Sequence, residues 1–438
     1  MSDTIQTAAI ISTGDEVVGG RTVDTNAAFI AERLSSLAIE TVCVLAVGDY
    51  SERIEWAWRR AAEQADLIVS TGGLGPTADD LTTETVARVA GVDLVLDETQ
   101  AERIRQVFAR VGRPMPDNNL RQAMIPAGAE VIDNDLGTAP GYRLVIDTGG
   151  RRVYGVVLPG VPREMKAMID ERVLPWLASM QDHDRHVLSR TFQTFGMSES
   201  AVDEALRDLI DPSEGRVAFR ASFPQISVRL TVTGNEEDAR RRLSELGDRI
   251  AERLGPAVIA EGETTMEEVV GDLLRRAGKT LATAESCTGG LIGNRITNVA
   301  GSSDYYAGGI VAYSNDLKKS LLGVSRSTLA MFGAVSEETA CEMASGARRA
   351  TGADIAVATT GIAGPGGGTE EKPVGTVAVA LAAGEGDSEN VRSKTYRLWG
   401  NREWVKVLTS QVALDWVRRY LVGLDPLDSG FGRRAPRS

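Results

Sequence analysis

Three regimes of hydrophobic patterning follow one another along the chain. From Ala8 short apolar runs alternate with amphipathic stretches: 8–11, 41–47 and 66–70 read as strands, and 26–37, 52–65 and 81–90 as helices. Such alternation builds βαβ units, which predicts a parallel sheet with helices on both faces. A late strand at 153–158 and a helix running to Arg172 close this first domain, bounded at 1–178. Before them, 97–111 has a helical period and is broken at Arg113-Pro-Met-Pro116. Between 187 and 258 the order becomes strand (188–195), helix (198–210), two strands (217–222, 226–233) and a long helix (236–254), a small α+β module. Alternation returns over 262–424, with strands at 280–284, 309–313 and 354–359 and helices ending at Ala277 and spanning 336–350. Thr265 and Glu268 carry capping-box spacing at the first of those helices. Residues 425–438 read as an unstructured tail, so the fold class is multidomain α/β.

At 438 residues the chain exceeds one ordinary domain. With 42% hydrophobic and 25% charged residues it is globular, not disordered or fibrous. A formal net charge of -13 argues against a broad electrostatic grip on nucleic acid or anionic membrane, and leaves room for local basic pockets that take phosphorylated small molecules. The opening residues lack a basic and then apolar leader, and no segment is apolar for long enough to span a bilayer, so the expected location is cytoplasmic. Cys43, Cys287 and Cys341 are too widely spaced for a disulfide framework or a zinc pattern.

Candidate chemistry concentrates where the strand at 280–284 meets Glu285-Ser-Cys-Thr-Gly-Gly290. Ser286 falls between a strand end and a helix start, where open α/β sheets place ligands. Backbone N–H groups at Thr288, Gly289 and Gly290 are expected to face a developing oxyanion. The histidines, His183 and His186, lie far upstream, so a Ser-His-Asp triad is not expected. A partly desolvated lysine can replace imidazole, with a tyrosine hydroxyl assisting, and Lys318 and Tyr313 both stand close to the end of the next predicted strand. Cys287 is a rival nucleophile with nothing basic beside it. The plainer reading of the cluster is helix capping, and of Lys318 a solvated side chain. Downstream, the glycine-rich loop from Thr360, with Gly361 and Gly364, can wrap a ribose phosphate, with Lys372 and Arg402 as cationic partners.

The first domain offers a second candidate. The strand at 66–70 runs into Thr71-Gly-Gly-Leu-Gly-Pro-Thr-Ala-Asp-Asp80. Main-chain donors at Gly73 and Gly75 can hold phosphate oxygens, and Asp79 or Asp80 can carry a divalent cation such as Mg bridging a diphosphate. The plainer alternative is a tight turn with Asp80 capping the next helix. Gly14-Asp-Glu-Val-Val-Gly-Gly20 follows the first strand, Asn26 lies just beyond it, and Leu158-Pro-Gly-Val-Pro-Arg-Glu-Met165 separates the late strand from its helix.

Six motifs, Glu285-Ser-Cys-Thr-Gly-Gly290, Ala300-Gly-Ser-Ser303, Tyr313-Ser-Asn315, Gly333-Ala-Val-Ser336, Thr360-Gly-Ile-Ala-Gly-Pro365 and Glu371-Lys-Pro-Val-Gly-Thr376, occur in order. Together they resemble the C-terminal nicotinamide mononucleotide deamidase domain of the CinA (competence/damage-inducible protein A) family. The resemblance implies cofactor-free hydrolysis of nicotinamide mononucleotide to nicotinate mononucleotide and ammonia, in pyridine nucleotide salvage, with Ser286 as nucleophile and Tyr313 and Lys318 activating it. The fragments of the first domain resemble the molybdopterin-binding type of domain that opens CinA proteins, associated there with metal-dependent ADP-ribose pyrophosphatase activity. That resemblance implies a site lined by Asp15, Glu16, Gly73, Gly75, Asp79 and Asp80, with Glu164 beside it. The middle module resembles the KH-type module of the family. A KH clamp needs a G-x-x-G loop, and Gly196-Met-Ser-Glu199 lacks the second glycine, so a spacer or homodimerisation role is expected in place of nucleic-acid binding. The competing class is a non-catalytic regulatory protein that binds nucleotides or a pterin.

Overall fold

The structure, a computed structural model, describes residues 5–110, 112–180, 186–384 and 389–429. The chain forms two compact units, one of residues up to 188 with 232–241, the other of 189–231 with residues from 242 onward.

The first unit contains β1 (Thr7–Thr13), β2 (Glu40–Val47), β3 (Leu67–Thr71), β4 (Leu94–Leu96), β5 (Met124–Pro126), β6 (Glu130–Ile132), β7 (Gly141–Asp147) and β8 (Arg152–Leu158). Six of them form one sheet in the order β2-β1-β3-β8-β7-β6. β1 pairs in parallel with β2 and β3, and β3 with β8. β7 is antiparallel to β8, and β6 to β7. The expected parallel sheet is therefore parallel on one side only. A short turn sets Asp147 opposite Arg152, and strands joined so tightly must run antiparallel. Successive β1 residues face opposite cores: Ala8 and Ile10 meet Ile30 and Leu34 of the helix Thr25–Ser36, while Ala9 and Ile11 meet Ile54, Trp58 and Ala61 of the helix Ser51–Gln64. Both faces are thus covered, and the ends of β1, β3 and β8 open on one edge.

The middle module has β9 (His186–Thr194), β10 (Arg216–Ser222), β11 (Gln225–Gly234) and β12 (Val258–Glu261), ordered β10-β11-β9-β12. Its helices are Glu199–Leu206, shorter than expected and capped by Ser198, and Glu236–Leu254. β10 and β11 form a hairpin turning at Phe223-Pro224, with Ser222 opposite Gln225.

The C-terminal domain has β13 (Leu281–Glu285), β14 (Tyr306–Val311), β15 (Ile355–Gly361), β16 (Thr376–Ala383) and β17 (Asn390–Arg397), ordered β14-β13-β15-β16-β17. β13, β14 and β15 are parallel, and β16 and β17 are antiparallel additions. One face is a layer of alanines, Ala282, Ala284, Ala356, Ala358, Ala378 and Ala380, against Ala340, Met343, Ala344 and Ala347 of the helix Glu337–Thr351. Small residues on both sides bring that helix close to the sheet. The other face packs larger side chains, among them Leu281, Val357 and Val379, against the helices Met266–Ala277, Leu291–Thr297 and Arg402–Leu421. Thr265 and Glu268 form the expected capping box. Residues 425–429, read as tail from the sequence, instead make a short turn at Pro426–Asp428, with Leu427 on the core and Ser429 Oγ 3.0 Å from Tyr396 Oη. The rest of that stretch and His183 lie outside the described residues. Among the described residues no helix is long and apolar enough to cross a membrane.

Candidate active site

β13 ends on a residue that the sequence reading did not single out. Glu285 is 1% exposed, and its carboxylate accepts the N–H groups of Gly290 (2.9 Å), Ile292 (3.1 Å) and Gly293 (2.9 Å). It occupies the anion position at the start of the helix Leu291–Thr297 and ties the intervening loop to the strand. The signal was present as an acid ending an apolar strand just before Gly-Gly. Glycine is required at 289 and 290, whose φ values are 63° and 96°. Glu285→Ala leaves three N–H groups without their acceptor, so stability is expected to fall by about 3 kcal/mol or more. A chemical-denaturation midpoint checks this.

That loop presents Ser286, whose N–H donates to Thr359 O at 2.9 Å and whose side chain is 8% exposed with its residue. Lys318 comes from the helix Asn315–Leu322, which Ser314 caps. Its Nζ donates to Ser286 Oγ at 2.9 Å and to Ala312 O at 2.8 Å. Lys318 is 1% exposed, and burial pushes its pKa below the ordinary lysine value. A buried amine with two acceptors and no carboxylate partner is far from the solvated lysine of the plainer reading. Such a place beside a hydroxyl suits a general base. Cys287 is also buried, and burial pushes its thiol up to about 12, which withholds the thiolate a cysteine nucleophile needs.

The other expected residues divide. Tyr313 is 60% exposed, and its hydroxyl accepts from Arg402 Nη2 at 2.9 Å; it makes no hydrogen bond to Ser286 or Lys318. β14 stops at Val311, so the chain has already turned away by residue 313 while Ala312 O stays on the lysine. Arg402 also donates to Gly364 O at 2.7 Å, which joins the glycine-rich loop to the first turn of the last helix. The expected oxyanion donors are largely committed: Gly290 N–H to Glu285 and Gly289 N–H to Ser286 O, which leaves Thr288 N–H as the one not given to an oxygen among the described residues. Thr288 Oγ1 pairs with Thr359 Oγ1 at 2.9 Å. Thr360 Oγ1 donates to Ala334 O, and at Gly361 a Cβ would stand 2.6 Å from Val377 Cγ2, so both serve packing. Lys372 donates to Phe332 O and lines a separate cavity of about 440 Å³ whose lining contains neither Ser286 nor Arg402. A cation that the sequence reading missed stands nearer: a Cβ on Gly289 would lie 3.9 Å from Lys406 Nζ, one turn beyond Arg402.

In the first unit a cavity of about 570 Å³ opens at the ends of β1, β3 and β8. Glu16, Asn26, Gly73, Gly75, Asp79, Asp80 and Glu164 line it, whereas Asp15 does not. Asp15 is turned to Asp49, exchanging main-chain to carboxylate hydrogen bonds with it. Asp49 lines the cavity unforeseen, its carboxyl pushed up by burial and by the neighbouring Asp15, Glu16 and Asp79. Asp80 does not cap the next helix, whose N-cap is Leu81; its Oδ2 accepts Thr77 N–H at 2.9 Å. Gly75 makes room for it, since a Cβ there would stand 2.4 Å from Asp80 Oδ2. Ser12 Oγ, Thr13 Oγ1 and Asn26 Oδ1 are buried without a partner, and all three residues line the cavity. Unpaired buried polar atoms around a cavity are what a polar ligand satisfies.

These features define a three-module α/β protein with a buried serine–lysine pair in its last domain and a glycine-lined polar cavity in its first. Family models match in the same order: "Probable molybdopterin binding domain" over residues 9–179, "Damage-inducible protein CinA KH domain" over 189–260 and "CinA C-terminal domain" over 263–421. A CinA-like protein of Geotalea uraniireducens is 44% identical over 95% of this chain and 98% of its own, and one of Geobacter metallireducens is 44% identical over 94% and 99%. The crystal structure of competence/damage inducible protein CihA from Agrobacterium tumefaciens is 44% identical, covering 35% of this chain and 95% of its own, with a TM-score of 0.32. The chain belongs to the CinA family.

Proposed function

We infer that the C-terminal domain is an amidohydrolase that converts nicotinamide mononucleotide to nicotinate mononucleotide and ammonia. The observation that carries this is the Ser286–Lys318 contact, 2.9 Å long and buried. Lys318, whose neutral form desolvation favours, takes the Ser286 proton as Oγ attacks the carboxamide carbon. Charge gathers on the carboxamide oxygen, and Thr288 N–H is the main-chain donor assigned to it in this reading. The lysine proton then passes to the departing nitrogen, ammonia leaves, and water attacking the acyl-serine releases the acid. Arg402 and Lys406 are the cations available for the phosphate, replacing Lys372 in that role. Tyr313 holds Arg402 and takes no part in proton transfer, so Tyr313→Phe is expected to raise KM while kcat stays near wild type.

For the first domain the reading is a nucleotide diphosphate site acting on ADP-ribose. Among the described residues no group of three or more metal-capable side chains is gathered, so Asp79 and Asp80 could hold a divalent ion only together with oxygens of the ligand. Mg²⁺ is commonly held that way, by one or two carboxylates and substrate phosphates, and it would offset the diphosphate charge. The alternative is a non-catalytic nucleotide or pterin binder, for which the unpaired Asn26 Oδ1 and Ser12 Oγ offer hydrogen-bonding atoms to a bound ligand.

Product analysis on the intact chain tests both readings. Ammonia and nicotinate mononucleotide are expected from nicotinamide mononucleotide whether or not a chelator is present. AMP is expected from ADP-ribose only with divalent metal, and its loss in Asp80→Asn with binding retained would mark an enzyme. Gly75→Ala, which pushes a methyl into Asp80, is expected to reduce AMP formation as strongly as Asp80→Asn. Binding of ADP-ribose with no AMP under any metal would leave the binding role standing.

A further inference from the structure

The tip of the β10–β11 hairpin makes a contact that the mechanism above does not use. Phe223 stacks on Trp404, with ring centroids 4.3 Å apart and planes inclined by 27°. Trp404 sits in the first turn of the last helix, its N–H donating to Asn401 Oδ1 at 2.9 Å. Its side chain closes on Gly400, where a Cβ would stand 2.8 Å from Trp404 Cβ. Two residues earlier, Arg402 reaches Tyr313 Oη and Gly364 O, and the residue before Tyr313 supplies the carbonyl that accepts Lys318 Nζ. Beside the stack, Phe223 lines a cavity of about 360 Å³ with Met197, Pro224, Trp399 and Leu408. Phe223 and Trp404 are 42% and 43% exposed, more than a core pair would be.

Helix ends open more readily than helix interiors, because their terminal N–H and C=O groups lack intrahelical partners. Here that start carries the guanidinium which links the glycine-rich loop to Tyr313. We propose that Phe223 is a positioning residue of the hydrolytic site: the hairpin tip of the middle module clamps the first turn of the last helix and so fixes Arg402 for the anionic end of the substrate. A flat aromatic stack suits this, since it restrains the indole without engaging the guanidinium. The middle module then acts on substrate binding in the neighbouring domain.

The kinetic half of the test rests on the amidohydrolase reading and the exchange half does not. In the full chain, Phe223→Ala is expected to raise KM for nicotinamide mononucleotide about three- to tenfold, the factor that one aromatic pair carries. kcat is expected to stay nearly unchanged, and Phe223→Tyr, which keeps a ring, is expected to restore KM. Sulfonylation of Ser286 by phenylmethanesulfonyl fluoride, followed by intact mass, is expected to keep its wild-type rate in Phe223→Ala, because the dyad is built from β13 and the helix Asn315–Leu322. Hydrogen exchange is expected to accelerate at the Val405 and Lys406 amides. Unchanged KM with unchanged exchange would overturn the proposal, as would loss of sulfonylation together with kcat, which would make the stack a folding contact. If the native chain is sulfonylated yet releases no ammonia, the substrate assignment fails by itself, and exchange at 405 and 406 decides whether the hairpin holds the helix.

Discussion

Replacing Ser286 with alanine is expected to abolish ammonia release from nicotinamide mononucleotide, while Cys287→Ser is expected to retain it. The two residues are adjacent and both buried, yet their surroundings differ in the respect that matters for a nucleophile. Ser286 Oγ has an amine at 2.9 Å, whereas the Cys287 thiol is pushed up to about 12 by burial. Loss of a covalent nucleophile removes the chemical route itself, so a drop of at least about 10⁴-fold in kcat is expected, as for other hydrolytic serines. Ammonia quantified over long incubations checks it, with circular dichroism to show that the variant is folded. The converse result, activity kept in Ser286→Ala and lost in Cys287→Ser, would transfer the nucleophile to the thiol.

Lys318→Met is expected to have an effect of similar size, because methionine keeps the volume and apolar stem while removing the amine that, among the described residues, hydrogen-bonds the hydroxyl. The pH dependence provides a second check. Desolvation favours the neutral amine, so the lysine pKa lies below 10.5 and kcat/KM is expected to rise with pH on a limb below that value. The same displacement has a stability consequence. Between the lowered folded value and 10.5 the unfolded chain binds more protons at this residue than the folded one, so its contribution to stability rises with pH across that window. Lys318→Met is expected to flatten both slopes. A pH–rate profile of native and variant chains, with denaturation midpoints at matched pH, measures them; a rate limb that persists in residual Lys318→Met activity would assign it to another group.

How much of this was legible in the chain follows from the range over which each feature acts. The capping box at Thr265 and Glu268, the long helix Glu236–Leu254 and the β1–β3 alternation depend on neighbours a few residues apart, and the hydrophobic pattern displays them directly. The serine and lysine were also legible, because a strand end followed by Gly-Gly and a lysine one turn into the next helix are local patterns. Their meeting was not, since it depends on β13 and β14 pairing in parallel so that Ala312 N–H joins Glu285 O and residues 32 positions apart converge. Tyr313 and Lys372 show the limit from the other side. Each has the right chemistry at a plausible spacing, but an early end to β14 takes one to Arg402, and the glycine-rich loop carries the other to Phe332.

By itself, then, the order of residues determined the α/β modules, the place of Ser286 at a strand end, the glycines that the loops demand and the scarcity of histidine that turns attention to lysine. Tertiary structure alone decided that Lys318 is dehydrated, that Glu285 rather than an oxyanion takes the Gly290 N–H, that Asp49 enters the first cavity while Asp15 does not, and that Phe223 of one module rests on Trp404 of another. The physical reason is common to all four. Solvation and contact belong to the space around a side chain, and that space is furnished by segments whose distance along the chain carries no trace in any local pattern.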